Sequence, residues 1–501
     1  MKQYIISLDI GTTSAKAVIF SETGDVVSEW ESYYSIYHPR QNWAEQNPDE
    51  IEQAAKTAIS TAVIQKGIKQ DEVMAISFSA AMHSLICMDD DIAISPMLIW
   101  ADGRSYSQAE IMKSTYGKEI YAKTGTPIHP MSPFLKLVWM KETGYEAYKK
   151  ASKFVSIKEY ILFKWTGEWV VDYSIASASG LLNIHTLEWD EQTLQMAGID
   201  KNQLSKIVPC TERVGPLKGE VARALFLEKN VPLIIGSSDG VLANIGLGAI
   251  ENGETALTIG TSGAIRRFSN EGKIDTEQRT FQYRFSKASC IIGGASNNGA
   301  VLLQWLATQF SNITKEESIT VSDLERIAST SEPGANGLFF MPYLSGERAP
   351  KWNAKAKGGW IGLTLSHSSA DMVRSVMESV IYNMLEIHES LEIQAGATNK
   401  LLVSGGFARS PLWLQMTADI FQQQVYVPHT HQSSAWGAAW LALYSIGRVN
   451  SMEEIKGFIP IEKTIEPIYR NAELYEDNYE MFKEIYRLNK PLFKDIDILQ
   501  Q

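Results

Sequence analysis

The chain has 501 residues, 45% of them hydrophobic and 21% charged, with a formal net charge of -12. That length exceeds what one hydrophobic core organises, so two large domains are expected. The excess of carboxylates excludes a sequence-independent nucleic-acid surface, which needs clustered Lys and Arg, and leaves a small molecule as the expected partner.

Cys87, Cys210 and Cys290 are odd in number and far apart, so neither a disulfide framework nor a CxxC metal site is expected. Asp9 interrupts the N-terminal apolar run. No span approaches the about 20 apolar residues of a membrane helix. No export, no membrane and a reducing cytoplasm are the expectations, and the formal glycosylation acceptor Asn312-Ile-Thr314 then carries no consequence.

Tyr4 to Leu8 reads as a buried strand, Asp9-Ile-Gly-Thr-Thr-Ser14 as a small polar turn, and Ala15 to Phe20 as a second strand. Glu50 to Gln65 reads as a helix behind the capping-type start Asn47-Pro48-Asp49. Val73 to Phe78 and Val231 to Ile235 read as buried strands running into small or polar turns. The opening text then recurs. Leu8-Asp-Ile-Gly-Thr-Thr-Ser-Ala-Lys16 aligns without gaps on Leu257-Thr-Ile-Gly-Thr-Ser-Gly-Ala-Ile265, with Leu, Ile, Gly, Thr and Ala shared. The two copies lie almost half a chain apart, so the spacing predicts two related domains, 1–245 and 246–501. Gly240, Gly246 and Gly248 loosen the chain at that boundary. Ala370 to Ala395 and Pro411 to Phe421 read as helices and Leu401 to Val403 as a strand.

Phosphate binding needs backbone N–H groups on small residues, hydroxyl donors and a nearby cation. Thr12, Thr13, Ser14 and Lys16 supply these in the first turn, without the P-loop spacing GxxxxGK[ST]. Gly260 and Thr261 repeat the turn. Asp9 of the first copy is Thr258 in the second, so one carboxylate faces the phosphates, and one carboxylate suits one Mg²⁺; the alternative is an Asp capping its own turn. Asp239 stands at the C-terminal end of the Val231 strand, the ligand-binding end of an open α/β sheet. A carboxylate there can accept a proton from an attacking hydroxyl, or simply close an Asp-Gly turn. The same residues, Gly236-Ser-Ser-Asp-Gly240, also satisfy GxSxG, the nucleophile elbow of a serine hydrolase with Ser238 as nucleophile, but that reading leaves the duplicated turns unexplained.

Met82-His83-Ser84 and Trp100-Ala-Asp102-Gly-Arg104 mix aromatic and polar side chains after a strand, as polyol recognition requires. Gly405 and Gly406, ahead of Ser410, permit close approach of a nucleotide base or sugar. His429 and His431 lack a third metal ligand at recognisable spacing.

These residues resemble the FGGY family of carbohydrate kinases over nearly the whole chain. The strongest element is Gly358-Gly-Trp-Ile-Gly-Leu363, seven residues, then Asp371-Met-Val-Arg-Ser-Val-Met-Glu378. Met131-Ser-Pro-Phe-Leu-Lys-Leu-Val-Trp-Met-Lys-Glu142 resembles the family's central signature and departs at Thr143, with Lys136 and Trp139 kept. The resemblance implies an α/β fold of two actin-like (ribonuclease H-like) ATPase domains with the active site in the cleft between them. It implies ATP and Mg²⁺ as cofactors, a polyol or sugar acid as substrate, and a homodimer as an expectation. Asp9 would organise magnesium, Thr12, Thr13, Ser14 and Lys16 would face phosphates, and Gly260 and Thr261 would meet the transferring end. Asp239 would be the base. Gly405, Gly406 and Ser410 would contact adenosine, with Ser410 where relatives often have Asn. Met82, His83, Trp100, Asp102 and Arg104 would contact the sugar. Within the family the pocket resembles the gluconate-phosphorylating members, then the xylulose-phosphorylating ones. It departs from the glycerol kinases, whose pocket begins with an Arg-Glu pair where this chain has Met82-His83.

Overall fold

The computed structural model describes residues 3–314, 319–429 and 432–500. His431 and the side chain of Thr314 lie outside the described residues. The chain divides into two compact units, one of Met1–Ile250, Ser269–Ile291 and Thr430–Ile459, the other of Glu251–Phe268, Ile292–His429 and Pro460–Gln501.

The first unit is built on strands Tyr4–Ile10 (β1), Ser14–Ser21 (β2), Val26–Tyr33 (β3), Val73–Ala80 (β4), Arg213–Val214 (β5) and Leu233–Ser238 (β6), in the order β5-β6-β4-β1-β2-β3. β1 and β2 form the expected hairpin, with Leu8 opposite Ala17 and Asp9 opposite Lys16. Strand alternation sorts β1 and β4 by chemistry. Ile6, Leu8 and Ile10, with Ile76, Phe78 and Ala80, enter a core shared with Ile51, Ala55, Ala58 and Ile59. These last four belong to helix α1, Pro48–Lys66. Ser7, Asp9, Ser77 and Ser79 alternate with those apolar positions and so take the opposite face. Asn47 caps α1 by accepting from Asp49 N at 3.0 Å, worth about 1 kcal/mol. Gly67, at φ 67°, closes the helix in the left-handed conformation that glycine adopts without penalty.

Further helices of this unit are Pro133–Thr143 (α2), Ile157–Thr166 (α3), Tyr173–Ala178 (α4) and Asp239–Gly246 (α5). The strand expected at Val231 to Ile235 starts two residues later and runs to Ser238. Pro232 has no N–H to donate to a ladder, although its carbonyl still accepts from Ile76 N at 2.9 Å.

The second unit repeats the plan. Strands Glu254–Ile259 (β7), Gly263–Ser269 (β8), Lys400–Ser404 (β9), Val425–Pro428 (β10) and Ile461–Ile465 (β11) run in the order β8-β7-β9-β10-β11. Successive pairs are antiparallel, parallel, parallel and antiparallel. The series β2-β1-β4-β6-β5 has the same four senses, so the duplicated text marks a duplicated topology. Helices Val301–Thr314 (α6), Ser369–Ala395 (α7) and Pro411–Phe421 (α8) follow. Helix α9, Ser433–Ser445, belongs to the first unit and packs on β1 and β4.

α7 begins in a reciprocal cap between Ser368 and Asp371. Burial works against the Asp371 carboxylate, but hydrogen bonds from Ser331, Ser368 and Asn336 hold its pKa at about 2, below the ordinary 3.8. A depressed carboxylate stabilises the fold above its unfolded pKa, and that contribution is lost as pH falls through the folded value. Asp371→Asn is therefore expected to remove stability at neutral pH and to flatten the acid loss between about pH 4 and 2, read by circular dichroism.

Candidate active site

The first turn is fastened from behind. Gly11 N donates to Ser14 O at 2.9 Å and Tyr34 N to Thr13 O at 3.1 Å. The Tyr34 hydroxyl donates to Gly11 O at 2.6 Å and Ser14 O at 2.9 Å, and Gln46 Nε2 to Thr12 O at 2.9 Å. All four carbonyls from Gly11 to Ser14 are thus engaged, which keeps them from facing an incoming anion. Burial and then the charge of Asp9 raise the Tyr34 pKa, so its phenol remains a donor. Sequence reasoning missed Tyr34; nothing local links it to a turn 20 residues upstream.

Asp9 Oδ1 accepts from Ser79 Oγ at 2.7 Å and Oδ2 from Ser434 Oγ of α9 at 2.8 Å. Among the described residues no group of three His, Cys, Asp or Glu could hold a metal ion, so an all-protein cage does not fit. One carboxylate beside a phosphate-sized turn does fit a Mg²⁺ held chiefly by water and phosphate oxygens. Beyond the turn, Ser14 Oγ donates to Glu31 Oε1 at 2.5 Å. Lys16 Nζ lies 3.2 Å from Glu29. Both are occupied by carboxylates of β3 rather than presented with Thr12 and Thr13.

The second turn repeats the paired side chains beneath the first and is closed by different bonds. Thr258 meets Ser404 through their hydroxyls at 2.9 Å, and the two are register partners, as Asp9 and Ser79 are in the first unit. Gly260 N donates to Ser262 O at 2.9 Å, while Gly299 N and Val301 N, at the start of α6, donate to Thr261 O at 3.2 Å each. Buried Glu347 fixes the segment leading there. Its carboxylate accepts from Ser296 Oγ, Asn297 N, Asn298 Nδ2, Arg348 N and Asn383 Nδ2. Gly405, at φ 98°, passes β7 so closely that a Cβ would stand 2.4 Å from Ile259 O; a Cβ on Gly406 would meet nothing within 4 Å. Ser410 is buried and caps α8 by accepting from Trp413 N at 3.4 Å. Exposed His429 pairs with Glu462 at 3.5 Å.

Among the sugar-side residues, Met82 and Trp100 line one narrow pocket with Gly11, Thr12 and Ser84. Trp100 Nε1 donates to Thr12 Oγ1 at 3.0 Å, tying this pocket to the first turn. His83 takes a left-handed φ of 68°, its Nδ1 lies 2.8 Å from Ala178 O, and its ring stands edge-on to Tyr283 at 6.1 Å. Asp102 and Arg104 spend their hydrogen bonds on the protein. Arg104 reaches Asp102 through Nε and Nη2, both at 2.8 Å, and Glu45 at 2.6 Å, with its guanidinium 3.7 Å over the Trp43 ring. Nη1 alone is buried with no hydrogen-bond partner among the described residues.

Lys136, kept from the family signature, lies at the centre of this cluster. Its Nζ donates to His83 O at 2.8 Å, Ile99 O at 2.7 Å and Met131 O at 2.8 Å, joining three loops at one ammonium. Burial lowers its pKa to about 7.

Asp239 is the first residue of α5, directly beyond β6. Its Oδ1 accepts from Gly240 N at 2.7 Å. Ser238, the nucleophile of the hydrolase alternative, is 0% exposed. A nucleophile elbow presents its hydroxyl openly, so burial removes that reading.

Residues 4–246 match the N-terminal domain of the FGGY family of carbohydrate kinases, and residues 255–446 match its C-terminal domain. The chain belongs to this family. It is an ATP-dependent carbohydrate kinase with two actin-like (ribonuclease H-like) domains. It is 42% identical to a gluconokinase of Bacillus subtilis (strain 168) over 97% of this chain and 96% of the relative. To a xylulose kinase of the same strain it is 29% identical, over 98% of each. Two solved structures from Lactobacillus acidophilus, a gluconate kinase and a ligand-bound xylulose kinase, each align with TM-score 0.94 and 34% identity, over 98% of this chain and 99% of theirs. Among the described residues no helix is long and apolar enough to cross a membrane.

Proposed function

We propose that this FGGY kinase transfers the γ-phosphoryl group of ATP to the terminal hydroxyl of D-gluconate, giving 6-phosphogluconate, with Asp239 as the base. The observation that carries the substrate is the identity gap, 42% to a gluconokinase against 29% to a xylulose kinase at almost equal coverage. Asp239 suits the base role because it stands directly after a buried strand and begins a helix, and a carboxylate at that end of a sheet can accept a proton from an attacking hydroxyl. Phosphoryl transfer otherwise asks for positioning and charge neutralisation. Thr12 and Thr13, on a turn whose carbonyls are all engaged, hold phosphate in the first unit; Gly260 and Thr261 do so in the second. Ser14 and Lys16 join them by releasing Glu31 and Glu29. Asp9, oriented by Ser79 and Ser434, holds Mg²⁺, which when bound neutralises phosphate charge. The open face of Gly406, beside Gly405 and Ser410, receives adenosine. Met82, His83 and Trp100 meet the polyol. Asp102 and Arg104 act beside them, and the unpaired buried Nη1 of Arg104 is the donor available to a carboxylate or hydroxyl.

A ketopentose is the second reading, favoured by the equal structural similarity to a xylulose kinase. A coupled ADP-release assay over D-gluconate, D-xylulose, D-ribulose and glycerol separates the two. The expected result is a kcat/KM for gluconate at least roughly tenfold above the others, a difference of about 1.4 kcal/mol in transition-state binding. A higher value for xylulose overturns the substrate, and no ADP release with any of them overturns the kinase reading.

A further inference from the structure

The strand that delivers Asp239 leaves its ladder before it arrives. β6 breaks register with β4 between Ile234 and Ser237. At the break Gly236 has φ 69°, and a Cβ there would stand 1.7 Å from Phe78 O, so only glycine fits. Bulges of this kind re-aim the residues that follow. Beyond the bulge, a side chain takes hold of the strand: Ser238 N donates to Ser174 Oγ at 2.8 Å, and Ser237 Oγ donates to the same oxygen at 2.8 Å.

Ser174 is itself held. Its Oγ donates to Asp172 Oδ1 at 2.5 Å, and that oxygen also accepts from Ser174 N at 3.0 Å and Ile175 N at 3.2 Å, capping α4. Asp172 Oδ2 pairs with Lys158 Nζ of α3 at 2.5 Å. Lys158, Asp172, Ser174, Ser237 and Ser238 are all 0% exposed. A hydroxyl has one hydrogen, and a charged carboxylate takes it in preference to a neutral acceptor. Asp172 therefore points the Ser174 lone pairs at the Ser238 amide, while Lys158 supplies the opposite charge that makes a buried carboxylate tolerable. The far end of the same short helix holds the sugar-side loop, through Ala178 O and His83 Nδ1.

We propose that Ser174, oriented by Asp172, is a positioning residue that sets where Asp239 stands relative to His83. This rests on the reading of Asp239 as base. Neither Ser174 nor Asp172 takes part in proton transfer. Helix α4 acts as a spacer, with the base's strand fixed at one end and the His83 loop at the other.

The test is steady-state kinetics of Ser174→Ala, with whichever of D-gluconate or D-xylulose the wild type turns over faster. A small misplacement of a reacting group costs up to about 100-fold, so a loss in kcat of roughly 10- to 100-fold is expected, with KM for ATP within about twofold of wild type. Ser174→Thr, which keeps the hydroxyl, should recover most of that loss. Should Ser174→Ala not fold, the double variant Lys158→Met with Asp172→Ala removes both charges together with the acceptor of the Ser174 hydrogen, and leaves the Ser174 hydroxyl free to turn. Its kcat is expected to fall about tenfold, again without a matching rise in KM for ATP. Wild-type kcat in Ser174→Ala overturns the positioning role, as does a kcat loss accompanied by an equal loss of ATP affinity, or a threonine variant as slow as the alanine one. Wild-type turnover in Asp239→Ala overturns the base instead, so the two failures are distinguishable.

Discussion

Asp239→Ala is expected to lower kcat by about 10²- to 10⁴-fold, the usual contribution of a positioned general base, while ATP binding measured by calorimetry stays close to wild type. The split follows from where the residue sits. Asp239 opens α5, and its carboxylate bonds the next backbone amide, so its removal leaves the turns at Gly11 to Ser14 and Gly260 to Ser262 untouched. Losing that one hydrogen bond costs about 1 kcal/mol in stability, small against the 3 to 5 kcal/mol that such a fall in rate represents, at about 1.4 kcal/mol per tenfold. Asp239→Asn keeps the shape and hydrogen-bonding capacity but cannot take a proton, so it should be as slow as alanine and more stable. Turnover near wild type in the Asn variant would remove Asp239 from the chemistry and leave it a hydrogen-bond partner of the α5 backbone.

What was legible in the sequence, and what was not, divides by range. The two hairpins could be read because alternation and the repeated Leu-x-Ile-Gly-Thr text are local, and the register partners Asp9–Ser79 and Thr258–Ser404 show that the repeat extends to paired side chains. The capped start of α1 was equally local. Tyr34, Glu347 and the Lys158–Asp172–Ser174 series were not legible, because each acts on a backbone brought to it by folding and no spacing in the chain announces the meeting. Ser14 and Lys16 carried the right chemistry for phosphate, but β2 pairs with a strand rich in Glu, and their side chains are taken up by Glu31 and Glu29. Helix α9 lies far into the second half of the sequence, yet it brings Ser434 to Asp9 in the first unit. Its small and apolar residues are buried on nearly every side, so periodicity gave no sign of which sheet it would cover.

Lys136 carries the other large effect. The sequence offered it only as a position kept in a family signature; the structure supplies a reason, three carbonyls from three loops on one ammonium. Lys136→Met keeps most of the stem volume and strands those carbonyls in a buried place. Each unpaired buried group costs about 1–3 kcal/mol, so a loss of several kcal/mol in stability is expected, read as a lower midpoint in thermal unfolding. Because two of the loops carry His83 and the Trp100 region, KM for the sugar should rise about tenfold or more while KM for ATP changes little, the pattern of lost substrate binding. Burial lowers the Lys136 pKa to about 7 from an ordinary 10.5, so between these values the unfolded chain binds the extra proton and wild-type stability gains with rising pH. The gain is fully present only above about pH 10.5 and fades as pH falls to about 7. Lys136→Met should lack that slope. Wild-type sugar KM in the variant would show that the three loops hold their places without the ammonium, and an intact slope would show that the pH dependence comes from another group.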